Sequence, residues 1–339
     1  MGNKKHISEQ FKAKKRHLKS VDEYVSGIRA GNRTMLSEAL TLLESTNAEH
    51  ETLAQEILTA CLPYSGKSFR VGITGVPGVG KSTFIEKFGL QAIERGYKPA
   101  VLAIDPSSSR SHGSILGDKT RMELLSRSEV AFIRPTPTSG SLGGVARRTR
   151  ECIYLCEAAG FDLILVETVG VGQSETHVSE MVDFFLLLML AGAGDELQGV
   201  KRGIMELTQM VFINKADGDN AAKAKAAKAE YARALHMFPS NEDGWTVRTG
   251  HGSALSGEGM DEVWEAVLSY KTQTTLNGFL GANRRKQATQ WLSETVEELL
   301  YRKLKARPEH EDEWQKMEQA IWEGKISAVI AAKQLIEKI

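Results

Sequence analysis

The run Gly75-Val76-Pro77-Gly78-Val79-Gly80-Lys81-Ser82 constrains this chain more than any other stretch. It satisfies G-x-x-x-x-G-K-[ST] in full. It directly follows an apolar segment at 69–74 and directly precedes a helical pattern at 83–95. A strand, a glycine-rich loop and a helix in that register make a phosphate cradle. The glycines let the backbone curl until its N–H groups converge, and the helix N-terminus adds partial positive charge. Gly75, Val76, Pro77, Gly78, Val79, Gly80, Lys81, Ser82 and Thr83 are the candidate phosphate-binding residues. Lys81 can reach β- and γ-phosphate oxygens, and the Ser82 hydroxyl can ligate Mg²⁺.

The surrounding pattern predicts an α/β fold. Strand candidates lie at 69–74, 99–104, 130–135, 162–167, 183–190 and 209–214, with helical segments between most of them. Most are apolar on successive residues, as strands covered on both faces must be. The expectation is a mostly parallel, doubly wound sheet of the P-loop NTPase type. Residues 1–65 read as a helical N-terminal extension, 66–280 as the nucleotide-binding domain and 281–339 as a C-terminal helical arm. In the extension, Val21, Tyr24, Val25 and Ile28 share one helical face, and Leu53, Ile57 and Cys61 another. In the arm, the shared faces are Ala288, Trp291, Leu292, Thr295 and Leu299; Trp314, Met317 and Ile321; and Val329, Ala332 and Ile336. These stripes must bury on the core or on a second subunit. Residues 221–234 read as an exposed alanine- and lysine-rich helix.

Composition narrows the partners. Lysine plus arginine equals aspartate plus glutamate at 43 each, which gives no electrostatic reason to expect nucleic acid. The longest apolar stretch, 184–193, is about half of what a membrane-spanning helix needs, so no membrane is expected. The 3 cysteines, an odd and sparse set, argue for a reducing, cytoplasmic setting. Residues 4–19 read as a solvated basic tail without the apolar centre of a secretory signal.

Magnesium needs further oxygen ligands. Asp105 follows the 99–104 segment at the carboxyl edge of the sheet. Glu167 opens Glu167-Thr168-Val169-Gly170, where many GTPases read D-x-x-G and the glycine N–H senses the γ-phosphate. The base site is Asn214-Lys215-Ala216-Asp217, which is N-K-x-D at a strand end. The Asp217 carboxylate can accept from the guanine ring N1–H and exocyclic amine, which adenine lacks at those positions. A wrong base would leave a buried carboxylate unpaired. The Lys215 stem can lie along the purine. Ser253-Ala254-Leu255 is placed to offer a backbone N–H to guanine O6.

These segments also carry a resemblance. Asp105-Pro106-Ser107-Ser108, the stretch Gly113-Ser114-Ile115-Leu116-Gly117-Asp118-Lys119-Thr120-Arg121-Met122, the stretch from Glu167 to Glu175, and the stretch from Gly194 to Gly203 resemble the hallmark segments of MeaB/ArgK GTPases. The likeness spans nearly the whole chain and departs locally at Ser109-Arg110-Ser111-His112. It implies a GTPase that binds GTP and GDP with Mg²⁺ held among Ser82, Asp105, Asp118 and Glu167. It implies switch segments at 105–122, 167–175 and 194–201, with Lys201 responding to nucleotide and partner. It also implies a homodimer through the arm and, as partner, an adenosylcobalamin-dependent acyl-CoA mutase such as methylmalonyl-CoA mutase, whose cofactor loading and protection it gates. The expected catalytic residues are Lys81, Glu167 and Lys201, with Gln173 a candidate for positioning water. With no obvious general base, turnover should be slow alone and stimulated by the partner.

Two alternative functions share the phosphate loop. A metal-delivering GTPase would carry a cysteine- or histidine-rich segment. Here Cys152 and Cys156 read as core residues rather than ligands. A nucleotide-dependent kinase linked to amino-acid transport is disfavoured by N-K-x-D. Arg147, Arg148 and Arg150 read as a solvated helix face.

Overall fold

The computed structural model describes residues 18–105, 122–137, 142–168, 174–192, 202–238, 242–305 and 308–337. They fall into two compact units, one from residues 1–68 with 151–162, the other from 69–150 with 163–339.

The first unit is helical. α1 (Val21–Arg29), α2 (Arg33–Glu44) and α3 (Ala48–Cys61) start after Ser20, Asn32 and Asn47, whose side-chain oxygens accept first-turn N–H bonds. Each such cap contributes about 1 kcal/mol. The expected α1 face narrows to Tyr24 and Ile28, while Val21 and Val25 are only half-buried. Cys61 is buried, and burial pushes its thiol up to about 11. Glu157 closes the unit by accepting from Gly66 N at 2.7 Å and Ser68 Oγ at 2.6 Å.

The second unit carries a seven-stranded sheet. Its strands are β1 (Phe69–Gly75), β2 (Pro99–Asp105), β3 (Phe132–Pro137), β4 (Leu163–Glu167), β5 (Phe184–Leu190), β6 (Met210–Asn214) and β7 (Arg248–His251). The order is β3-β2-β4-β1-β5-β6-β7, and every pairing is parallel. Alternate residues serve opposite faces. Phe184, Leu186 and Leu188 pack with Phe84, Phe88, Trp264 and Tyr270. Leu187 and Met189 pack with Val211, Ile213, Tyr231 and Leu235. That two-sided burial is why these strands read as continuous apolar runs.

Two strands depart from the sequence reading. β3 begins two residues later than expected, because Val130 is 41% exposed and burial starts at Ala131. β7 is an edge strand of sequence Arg-Thr-Gly-His, too polar to announce itself, and its chain path follows the 245–247 run.

The covering helices of this unit are α4 (Lys81–Glu94), α5 (Glu123–Arg127), α6 (Leu142–Ala158, shared with the first unit from Glu151), α7 (Ser174–Ser179), α8 (Arg202–Leu207), α9 (Ala221–Leu235) and α10 (Met260–Leu276). α9 is the alanine- and lysine-rich helix, buried only at Ala224, Tyr231 and Leu235.

At the amino edge of the sheet, Asp183 is sealed in. Its carboxylate accepts from Arg284 Nε at 2.8 Å, Arg284 Nη2 at 2.6 Å and Arg70 N at 2.8 Å. Nearby, Asp243 accepts from Trp245 N at 2.8 Å and Tyr270 OH at 2.9 Å.

The arm comprises α11 (Phe279–Lys305), α12 (Pro308–Trp322) and α13 (Ala328–Ile336). Of the two ways left open for these stripes to bury, the α11 stripe does not use the core of its own chain. α11 meets the sheet unit through polar side chains: Arg284 on Asp183, and Gln287 Nε2 on Val182 O at 2.8 Å. Leu292 is 65% and Leu299 43% exposed. On α13 the buried pair is Ala331 and Leu335, while Val329 and Ile336 face outward. Trp314, Met317 and Ile321 of α12 are half-buried, as their spacing predicts.

Candidate functional site

Parallel strands bring the candidate residues to one edge of the sheet, in a row. β4 lies beside β1 with Ile73 opposite Glu167. β5 flanks the other side with Gly75 opposite Leu188. β6 and β7 follow outward, with Leu190 opposite Asn214 and Ile213 opposite His251. This carboxyl edge is where open α/β sheets hold ligands.

The chain leaves β1 at Gly75, whose φ of +151° is rare for other residues. A Cβ there would also sit 2.4 Å from Leu188 O. Gly80 caps α4 at φ +94°, where a Cβ would lie 3.0 Å from Asn214 Nδ2. Glycine is therefore required at both ends of the loop.

Lys81 opens α4 and is buried. Its ammonium donates to Gly75 O at 2.7 Å and Val76 O at 3.3 Å. Burial holds its pKa below the usual lysine value, and the charges of Glu167 and Glu175 partly oppose this. A buried cation hydrogen-bonded to neutral carbonyls keeps its charge available to an anion. One residue on, Ser82 Oγ donates to Glu167 Oε1 at 3.2 Å. Thr168 ties the end of β4 to β1, with N bonded to Ile73 O at 3.0 Å and Oγ1 to Thr74 Oγ1 at 2.8 Å. The hydroxyl and the carboxylate thus converge beside the lysine.

Asn214 joins the two halves of the site. Its Nδ2 donates to Val79 O of the phosphate loop at 2.8 Å, and its Oδ1 accepts from Ala254 N at 3.0 Å. Lys215 adopts φ +58°, unusual for a non-glycine, and its stem lies 3.8 Å from the Cβ position of Gly80. Asp217 is exposed. In Ser253-Ala254-Leu255 two backbone donors are already engaged, Ser253 N with Glu258 O and Ala254 N with Asn214 Oδ1. Of the three, Leu255 N–H remains for a ligand, on a residue 80% exposed.

Thr83 is exposed on the first turn of α4. Asp105 closes β2, paired with Pro137 on β3; its side chain lies outside the described residues. Asp118, Gly170, Gln173 and Lys201 also lie outside them. The sequence reading gives Glu175 no role of its own, yet it is 7% exposed and close enough to act on Lys81. Its signal is positional: it stands one turn before the buried Val178, an acid at an inward helical position. Cys152 and Cys156 are buried and not joined in a disulfide. Among the described residues, no group of three or more His, Cys, Asp or Glu side chains could hold a metal, and no helix is long and apolar enough to cross a membrane.

A glycine-rich loop at a helix start, tied by one asparagine to the end of a neighbouring strand, has the form of a P-loop nucleotide site. The family description "Methylmalonyl Co-A mutase-associated GTPase MeaB" matches residues 36–309. The chain belongs to the MeaB family. Within it, the GTPase ArgK of Escherichia coli (strain K12) is 46% identical over 317 residues, covering 94% of this chain and 96% of that protein. The mitochondrial methylmalonic aciduria type A homolog of Mus musculus is 45% identical over 327 residues, covering 94% and 79%. A crystal structure of a LAO/AO transport system kinase superposes with a TM-score of 0.76 at 39% identity, covering 94% and 96%. This member of the MeaB family is therefore a P-loop GTPase by sequence and by fold, although its relatives carry the names of both a GTPase and a transport kinase.

Proposed function

We propose that this protein binds GTP with Mg²⁺, hydrolyses it to GDP and phosphate, and uses the cycle to gate adenosylcobalamin loading onto, and protect, an acyl-CoA mutase. Methylmalonyl-CoA mutase or a close relative is the partner. The observation that carries the nucleotide part is the Asn214 bridge between Val79 O and Ala254 N. It puts the phosphate cradle and the base reader in one hydrogen-bonded frame.

The residues take these roles. Backbone N–H groups of the Gly75–Thr83 stretch, Pro77 having none and Val79 N–H being engaged with Val76 O, bind phosphate oxygens. Lys81 offsets charge on the β- and γ-phosphates. Gly170 N–H senses the γ-phosphate, Asp217 and Leu255 N–H read the base, and Lys215 lies along it. The convergence of Ser82 Oγ and Glu167 Oε1 beside Lys81 fits a hard cation. Asp105 and Asp118 complete that ligand set, and the cation supplies charge neutralisation when bound. Lys201 responds to the nucleotide state. The partner part draws on the family description and on the name of the mouse relative.

Calorimetry with magnesium should give tight GTP binding and none for ATP. Single-turnover hydrolysis should accelerate when the cognate mutase is added. Equal affinity for both nucleotides would end the first claim, and equal rates the second.

The exposed Leu292, Leu299 and Leu300 of α11 support assigning residues 281–339 as the dimerisation arm of a homodimer. An apolar stripe left outward on a polar-anchored helix calls for a partner surface. Combining Leu292→Asp with Leu299→Asp should yield a monomer by sedimentation; an unchanged mass would refute the arm's role.

A further inference from the structure

Arg150, on α6, was expected on a solvated helix face but is only 5% exposed, because it sits between two carboxylates from different elements. Its Nη1 donates to Glu294 Oε2 on α11 at 2.7 Å. Its Nη2 lies 3.7 Å from Glu180 Oε2, just past α7, which is too far for a hydrogen bond. Nε and Nη2 carry three of the guanidinium's five N–H donors. Neither has a hydrogen-bond partner among the described residues, and neither does Glu180 Oε2. His177 Nδ1, one turn back, is also 3.7 Å from that oxygen and also unsatisfied.

Unsatisfied donors buried beside an unsatisfied acceptor are costly, and a shift of about 1 Å would pair them. A guanidinium with a purely static role would have those donors filled. This one is gripped on one side and open on the other.

The opposite end of α7 carries Glu175, buried and acting on Lys81. One short helix therefore packs against β1, the strand that feeds the phosphate loop, with Val178 Cγ1 3.0 Å from the Cβ position of Gly72, and presents an acid to Arg150 just past its end. α11 is pinned two to three turns earlier, by Gln287 on Val182 O and Arg284 on Asp183. Glu294 is thus the next hold along the arm beyond a fixed root.

We propose that Arg150 is a positioning residue that passes the state of the phosphate site to the arm. A nucleotide that changes the surroundings of Lys81 and Glu175 moves α7. Glu180 then closes on the open side of the guanidinium, and the grip on Glu294 changes with it. Ion pairs that exchange partners between two arrangements are an ordinary means of switching. This inference rests on the nucleotide reading above and deepens it by naming the route out of the site.

The test is hydrogen exchange along α11 in the full-length protein, with GDP or a non-hydrolysable GTP analogue and magnesium. Calorimetry of both nucleotides comes first. In the wild type, exchange over residues 291–305 should differ between the two states by about threefold or more. Glu294→Gln and Glu180→Gln should bind both nucleotides as the wild type does and lose that difference. Glu297→Gln, on an exposed position of the same helix, should keep it. Should either glutamine variant fail to fold, Glu294→Asp retains the charge but shortens the reach, and should also diminish the difference. The proposal is overturned if the wild type binds both nucleotides but α11 exchanges alike in each, or if Glu294→Gln keeps the full difference. If the wild type binds neither nucleotide, the calorimetry places the failure in the nucleotide reading itself, and the relay falls with it.

Discussion

The two edges of the sheet bury opposite charges in opposite ways. At the carboxyl edge, Lys81 is buried against neutral carbonyls of Gly75 and Val76. At the amino edge, the Asp183 side chain is fully covered and meets a bidentate guanidinium plus a backbone N–H. The first arrangement gives the ammonium no carboxylate in direct contact among the described residues and leaves Glu167 and Glu175 to act on it only at longer range. The second is complete. A buried charge marks a binding site only when its partners leave it unneutralised, and fully paired ones are structural.

Four substitutions can break or sharpen that contrast. Asp183→Ala should show the largest effect. It leaves Arg284 partly buried without its carboxylate, and the loss should be about 3–5 kcal/mol in urea unfolding. GTP affinity of the folded fraction should stay unchanged. Lys81→Ala should do the reverse, cutting single-turnover hydrolysis by about 100- to 1,000-fold with little change in unfolding midpoint. A comparable stability loss there would erase the distinction between the edges.

Asp217→Ala removes two charge-assisted hydrogen bonds, which should weaken GTP binding by roughly 100-fold and level the preference over ATP. Because Asp217 is exposed, melting should not move. Tyr270→Phe is the mildest, at about 1 kcal/mol, since it leaves one oxygen of Asp243 without its donor.

The same tyrosine gives a pH signature. Burial, then the charge of Asp243, raises its pKa above the ordinary value. A group whose folded pKa is raised contributes stability that is whole below its unfolded value and fades as pH rises past it. The wild type should therefore lose stability above pH ~10, by up to about 1.4 kcal/mol per pH unit, and Tyr270→Phe should lose less. Parallel alkaline melting curves would remove Tyr270 from that account.

The sequence made the carboxyl edge far more legible than the arm. Gly75, Gly80, Lys81 and Asn214 each answer a local demand: a φ that only glycine tolerates, a helix start, a strand end. Such demands leave fixed spacings. The packing of α11 does not, because its inward side is Arg284, Gln287 and Glu294, while Leu292 and Leu299 face out. Helical periodicity assumes that the apolar stripe points home, and here polar anchors decide the rotation. β7 stayed hidden for a related reason: an edge strand with one buried residue, Gly250, has almost no apolar signature. Glu175 was missed because an acid facing inward looks like any other acid until the fold places it near Lys81.

The asparagine staple carries a further consequence. One amide side chain ties Val79 O to Ala254 N, so under the proposed function the tail and the head of the ligand cannot be graded separately. Inorganic tripolyphosphate has no base to read, yet it would still feel a change at position 214 through the slackened carbonyl of Val79. On the proposed nucleotide reading, selectivity for guanine and the firmness of the phosphate grip become a single mechanical property.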